Sequence, residues 1–527
     1  MAADGTAGSP LSQLAYTERH FNPRLDAHRG AGERGTAPPV LLRAGFRACG
    51  VGRIFGIRGR REPHPRPISF RRYPAVSTTL PARTGKAPGA WPLLGHAWQL
   101  HARPLEFLSS LPAHGDLVRI GMGPWPAYVV CEPGAAHRML TDSRTFDKGG
   151  PFFDKARVLF GSSLPMAGWQ EHRWQRRQMQ PAFQSDRIER YAVVMGEEVD
   201  RMTGRWRPGL RLDVTAALTT LTLRIVTRSV LAAEAQDEAV AEVQQSLHTV
   251  IDGIYQRVML PLGPLYRLPT PANRRYRRAC DRLHRAIDGI VADRRAAPGG
   301  DDLVSMLLAA HDDDTGEPMS DVDIRDQLMV MIGAGFETTA NSLAFALWLL
   351  SQHPEAEAQV HAEVDRTLAG RTATTGDLDG LQYTRRVINE VLRLYPAGWF
   401  FTRVTTADTT LAGSHLPKGT ALLYSAYLLH HRPELFPDPD RFDPDRWATQ
   451  SADTLPRGAL VPFGGGNRKC IGDQFALIEM TLALATVCSR WSLHPDPGST
   501  MTVQVRGTLG PGPLTMTCRP RGTSADG

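Results

Sequence analysis

Between Leu328 and Leu350 the chain is apolar on nearly every helical face, unlike a surface helix with its single apolar stripe. This pattern predicts a buried central helix. Ser320 offers an N-cap, Asp323 three residues on offers the reciprocal partner, and Pro354 lies just past the end, so the helix is expected over Asp321–Ser351. Such a helix spans about 46 Å, enough to cross a whole domain. Helical stretches dominate from about residue 168 to 395. By contrast, Asp116–Cys131 alternates and is rich in Val, Ile and Tyr, which predicts a short hairpin broken at residues 121–126. The final part of the chain mixes turns, short strands and one more helix. The proline- and glycine-punctuated segment Pro88–His96 reads as the start of the folded part, 87–527. The expectation is a mainly α protein with a small β subdomain, without internal repeats or a second folded domain.

The central helix carries residues that its burial should exclude. Gly333 and Gly335 each cost about 1 kcal/mol relative to alanine in a helix interior. Glu337 costs more still unless it finds a partner. Three costly choices within five residues point to function. The packing alternative is a kinked core helix in which a Ser or Thr hydroxyl bonds back to a carbonyl.

Composition narrows the picture. The apolar share of 42% supplies a sizeable core, and no apolar run is long enough to span a membrane. Six cysteines (49, 131, 280, 470, 488 and 518) stand without a CxxC pair, which argues against a disulfide framework or zinc site and for a cytoplasmic setting. The net charge of +7 is uneven: residues 1–86 hold 15 Lys/Arg and 5 Asp/Glu, or +10, leaving −3 for the remainder. The excess therefore belongs to a basic leader, not to a nucleic-acid-binding domain. The leader is expected to be a disordered extension. The alternatives are upstream sequence carried along, a targeting leader, or a basic arm that touches anionic surfaces.

The candidate chemistry centres on Phe463-Gly464-Gly465-Gly466-Asn467-Arg468-Lys469-Cys470-Ile471-Gly472. A cysteine on a glycine-rich turn, at the start of a helix opened by Gly472, suits a thiolate that binds haem iron axially. The helix dipole and nearby N–H groups would help keep the sulfur ionised.

This loop resembles the haem-binding loop of the cytochrome P-450 family, the haem-thiolate monooxygenases, and the likeness extends from about Pro88 to near the C-terminus. It implies a triangular helical prism, haem b and an acid–alcohol pair, which Ala334-Gly335-Phe336-Glu337-Thr338-Thr339 matches completely. In that reading Gly335 leaves room for dioxygen beside Ala334, Thr338 donates a hydrogen bond to it, and Glu337 relays solvent protons. Glu390 and Arg393, at i and i+3, together with Arg446, correspond to a buried structural triad. Arg468, His172, Arg176 and Arg403 correspond to groups that hold the haem propionates; His172 and Arg176 share one helix face.

The resemblance implies insertion of one oxygen atom from dioxygen into a C–H bond or an alkene. Electrons would come from NAD(P)H through a ferredoxin reductase and a ferredoxin, docked near Arg468 and Lys469, to an enzyme expected to be monomeric. Residues 107–120, 145–150 and 261–269 look like segments of actinobacterial terpene hydroxylases. An apolar sesquiterpene would suit a pocket lined by Phe152, Phe153, Trp399, Phe400 and Phe401. A polyketide or fatty acyl substrate is the alternative, and a reductant-free haem-thiolate isomerase or dehydratase is the alternative of another class. Asp313, Asp314 and Glu317 match a magnesium-binding DDxxE pattern, with a solvated acidic turn as the plainer reading.

Overall fold

The structure, a computed structural model, describes residues 83–521 except 124, 232–236, 260–265, 301, 312–315 and 451–453. The leader before residue 83, Asp313 and Asp314 lie outside the described residues. Two apolar clusters organise the rest. One is built by the helices around the central helix Asp321–Gln352, and the other underlies a six-stranded mixed sheet. In spatial order the sheet runs Thr84–Lys86, Leu117–Met122, Trp125–Val130, Ala421–Tyr424, Phe401–Thr405 and Phe146–Asp147. The expected hairpin is present, with Leu117 opposite Val130 and Met122 opposite Trp125. Thr84–Lys86 pairs in parallel with Leu117–Arg119, so three residues assigned to the leader belong to the sheet.

The central helix ends one residue later than expected. Ser320 caps it by accepting from the Asp323 N–H (3.1 Å), and its own hydroxyl donates to the Asp323 carboxylate (2.6 Å). The reciprocal bond is thus made side chain to side chain, not to the Ser320 backbone. Of its residues from Leu328 to Leu350, most are buried against neighbouring helices, as the all-round apolar pattern requires.

The helix Gln382–Leu394 presents Glu390 and Arg393 to a fully buried polar knot. Glu390 accepts from Arg393 Nε (2.9 Å) and Nη2 (2.7 Å), Arg446 Nε (3.2 Å), the Trp447 indole (2.9 Å) and the Asp443 N–H (3.1 Å). The remaining Arg393 donors reach the carbonyls of His430 (3.0 Å), Pro439 (2.6 Å) and Arg441 (3.2 Å). All five guanidinium N–H groups are therefore used, which is the condition under which a buried ion pair repays its desolvation. His430 extends the knot: its Nε2 accepts from the Val461 N–H (2.9 Å), so the ring proton sits on Nδ1 and donates to the Arg393 carbonyl (3.2 Å). Burial lowers its pKa to about 3, which keeps it neutral. Through Val461 the knot reaches the start of the cysteine loop.

Glu390→Gln should leave two buried guanidinium groups facing a neutral amide and cost about 3–5 kcal/mol of stability. Denaturant unfolding checks this, and a loss below about 1 kcal/mol would show that the knot does not anchor the fold.

Candidate functional site

The cysteine loop is shaped by backbone contacts. The Cys470 N–H donates to the Phe463 carbonyl (2.9 Å), closing the turn over Gly464–Lys469. Gly464 and Gly466 have positive φ, +71° and +63°. A Cβ on Gly466 would stand 2.3 Å from the Leu140 carbonyl oxygen. At least this glycine therefore serves close packing on the helix Pro133–Thr141, not only approach to a flat ligand. Gly472 is the N-cap of the helix Asp473–Arg490, so Cys470 precedes that helix instead of riding on its first turn. The Cys470 side chain is exposed at the surface of the loop. The protein packed around it pushes its thiol above the ordinary range, against the Gly472 N–H, Arg176 and Lys469.

A cluster of buried cations surrounds this region. Arg468 is almost wholly enclosed; it donates to the Ala167 carbonyl (2.7 Å) and pairs with Asp147, while its Nε has no partner. This enclosure removes Arg468 from any docking surface. Lys469 remains half-exposed and pairs with Asp473. Arg403 is buried on its strand, donates to the Thr402 carbonyl (2.8 Å) and lies 5.9 Å from the Tyr424 ring centroid. Arg176 donates to the Lys469 carbonyl (2.6 Å), tying the helix Trp169–Met179 to the cysteine loop. His172, one turn earlier, is buried, and its pKa falls to about 3 through burial and then Arg468, Arg176, Lys148 and Arg403.

Lys148 was not singled out in the sequence. Burial and then Arg403 and Arg468 drive its pKa well down, with Asp147 opposing. Its ammonium lies 4.7 Å from the Phe153 ring centroid. Four cations thus influence His172, while Asp147 and Glu171 are the carboxylates acting on Arg468. This clustering of cations and the orphaned Arg468 Nε fit the carboxylates of a haem.

The central helix supplies a second open surface. Ala334 is exposed and Gly333, Gly335, Glu337 and Thr338 are half-exposed, although Leu328–Ile332 and Thr339–Leu350 are buried. The patch interrupts an otherwise buried helix. A Cβ on Gly335 would meet Val226 at 3.1 Å, so its missing side chain also lets the helix Val214–Val230 pack closely. Ala334 is the residue that faces open space. The Thr338 hydroxyl donates to the Ala334 carbonyl (2.8 Å), the back-bond of the packing alternative. Glu337 Oε1 accepts from the Thr508 hydroxyl (2.7 Å), whereas its Oε2 is buried without a partner. Burial raises the Glu337 pKa; Thr508, His248 and Arg506 lower it and Asp252 raises it.

Of the aromatics expected to line a pocket, Trp399 and Phe153 are core, and the Trp399 indole donates to the Arg506 carbonyl (2.9 Å). Phe400 and Phe401 are half-exposed, and the Phe152 side chain lies outside the described residues. Glu317 is exposed, and among the described residues no group of three or more His, Cys, Asp or Glu could hold a metal ion. Nor is any described helix long and apolar enough to cross a membrane.

Comparison with known proteins agrees with this geometry. The family model described as Cytochrome P-450 matches residues 86–516. Cyclooctat-9-en-7-ol 5-monooxygenase of Streptomyces melanosporofaciens is 48% identical over 85% of this chain and 98% of the relative. Cyclooctatin synthase of the same organism is 45% identical over 82% and 95%, and pentalenene oxygenase of Streptomyces avermitilis is 44% identical over 78% and 92%. With a cysteine loop braced by a buried polar knot and a match of this extent, the chain belongs to the cytochrome P-450 family of haem-thiolate monooxygenases.

Proposed function

We propose that this enzyme inserts one oxygen atom from dioxygen into an apolar terpene in bacterial secondary metabolism, with Cys470 as the axial ligand of haem b. The observation that carries the oxygenase reading is the open patch on the buried helix, where Ala334, Glu337 and Thr338 keep exposure between buried turns. The terpene reading rests on the names of the relatives, which identify oxygenases of cyclooctat-9-en-7-ol and pentalenene.

When bound, thiolate-ligated haem supplies dioxygen activation, because the thiolate pushes electron density toward the iron. Arg468, Arg403, His172, Arg176 and Lys148 would hold its two carboxylates, offsetting the clustered positive charge. Glu337 keeps its proton to higher pH than an ordinary carboxyl because it is buried. Thr508 fixes Oε1, so Oε2 is the oxygen free to carry the proton. Thr338 Oγ1 can release the Ala334 carbonyl and pass that proton toward the open patch. Phe400 and Phe401 offer apolar surface to the substrate. Electrons reach the site from NAD(P)H through a ferredoxin reductase and a ferredoxin, for which Lys469 is the exposed cation on the cysteine loop. We place the enzyme in the cytoplasm as a monomer, preceded by a basic extension.

The reduced protein should show the red-shifted carbon monoxide spectrum of thiolate ligation, and titration of the oxidised form with sesquiterpene hydrocarbons or cyclooctat-9-en-7-ol should shift the iron from low to high spin. A thiolate spectrum without a terpene response would discard the substrate class and keep the enzyme class. Cys470→Ser should abolish the thiolate spectrum; an unchanged one would remove Cys470 as ligand. Thr338→Ala should retain haem and substrate binding while product formation falls on the order of 100-fold, with electrons diverted to hydrogen peroxide. Fully coupled turnover in that variant would exclude Thr338 from proton delivery.

A further inference from the structure

Half of the ten large apolar side chains exposed among the described residues lie between residues 91 and 125: Trp91, Leu93, Leu94, Trp98 and Trp125. The others stand singly along the chain, which is ordinary for a folded protein, whereas a cluster is not. These five form one patch. Trp91 and Gly95 exchange backbone hydrogen bonds, and the Gly123 N–H donates to the Leu94 carbonyl (3.1 Å), stitching the turn onto the hairpin that carries Trp125. Buried His96 pins the turn from below: its Nδ1 accepts from the Gly121 N–H (2.9 Å), and its Nε2 reaches the Pro88 carbonyl (3.2 Å). The Trp91 and Trp98 ring centroids are 6.5 Å apart, and Trp91, Leu93 and Trp125 line one cleft of about 260 Å³.

Leu93 is the most informative member. It is 93% exposed and sits at φ +61°, a left-handed conformation costly for a residue with a Cβ. The backbone bonds between Trp91 and Gly95 hold the turn, but burial of the side chain does not offset that choice. A leucine held rigidly outward among three tryptophans is the arrangement of an interfacial anchor, in which aromatic rings occupy the headgroup level and aliphatic groups reach the acyl chains. The charges agree. Lys86 and Arg119 also line the cleft, and no acid does.

We propose that this face docks the protein on a negatively charged lipid bilayer. Leu93, Trp91, Trp98 and Trp125 enter the interface, while Lys86 and Arg119 supply attraction to anionic headgroups. The protein lies on the bilayer and does not span it. An apolar substrate of the kind proposed above partitions into the same bilayer, but the docking does not depend on that substrate.

The test is co-sedimentation of the full-length protein with vesicles of phosphatidylglycerol mixed with phosphatidylcholine, against phosphatidylcholine alone. Binding should favour the anionic vesicles, weaken at high salt and blue-shift tryptophan emission. Leu93→Gly combined with Trp98→Ser should weaken binding roughly tenfold or more, with the carbon monoxide spectrum unchanged. Leu93→Gly alone should also weaken binding while leaving the melting temperature equal or higher, because glycine relaxes the left-handed turn; a Leu93 that served only the fold would give a lower melting temperature. No association with anionic vesicles would overturn the proposal. So would undiminished association of the double variant, which would assign binding to the leader alone, or a dimer in sedimentation that the double variant abolishes without any vesicle binding.

Discussion

Buried positive charge is the constraint on which this structure depends, and the chain handles it in two opposite ways. Arg393 is enclosed with every donor satisfied and a carboxylate beside it. Arg468 and Arg403 are enclosed with Asp147 as the one paired carboxylate, Lys148 lies half-buried beside them, and Arg468 Nε is left unmade. An unpaired buried charge is among the costliest features a fold can carry. A saturated knot therefore reads as scaffold, and an unsaturated cluster reads as a seat for an anion. The two are joined, because His430 bridges Arg393 to Val461 and so fixes where the cysteine loop begins.

The central helix follows the same logic with a negative group. Glu337 keeps one oxygen bonded to Thr508 and the other unpartnered, and burial raises its pKa in consequence. The glycines beside it play a different part. Gly335 brings Val226 close, and a Cβ on Gly333 would stand 3.0 Å from the Phe160 ring, so both let neighbouring side chains approach the helix. The patch is most open at Ala334, whose small side chain keeps normal helix propensity while taking little space.

Much of this was legible in the sequence because it is local. The all-round apolar run gave the central helix to within a residue of its end, the alternation gave the hairpin, and the i, i+3 spacing put Glu390 beside Arg393. The glycine-rich loop pointed to the family. What stayed hidden depends on partners far apart in the chain. Thr508 meets Glu337 across 171 residues and Asp147 meets Arg468 across 321, and neither neighbour carries a local signature. Lys148 follows a phenylalanine and an aspartate on an edge strand, which gives no hint that its ammonium is enclosed. Arg468 shows the converse error: a charged residue in a loop was read as partly a surface contact, whereas the fold closes over it.

The order of the sheet explains how one small subdomain can serve two purposes. Phe146–Asp147 and Phe401–Thr405, which lead into Lys148 and carry Arg403, occupy one edge. Thr84–Lys86 occupies the other edge, and the strand that bears Trp125 lies third of the six. Five inter-strand spacings, about 24 Å, separate the two edge strands. At that distance, well beyond the Debye length of about 8 Å at physiological salt, the exposed Lys86 barely influences the edge that leads into Lys148. The backbone bonds of its turn hold Leu93 in a conformation that costs roughly 1–2 kcal/mol. Its side chain gains nothing from burial there, so what favours an apolar group at that point is whatever the surface meets.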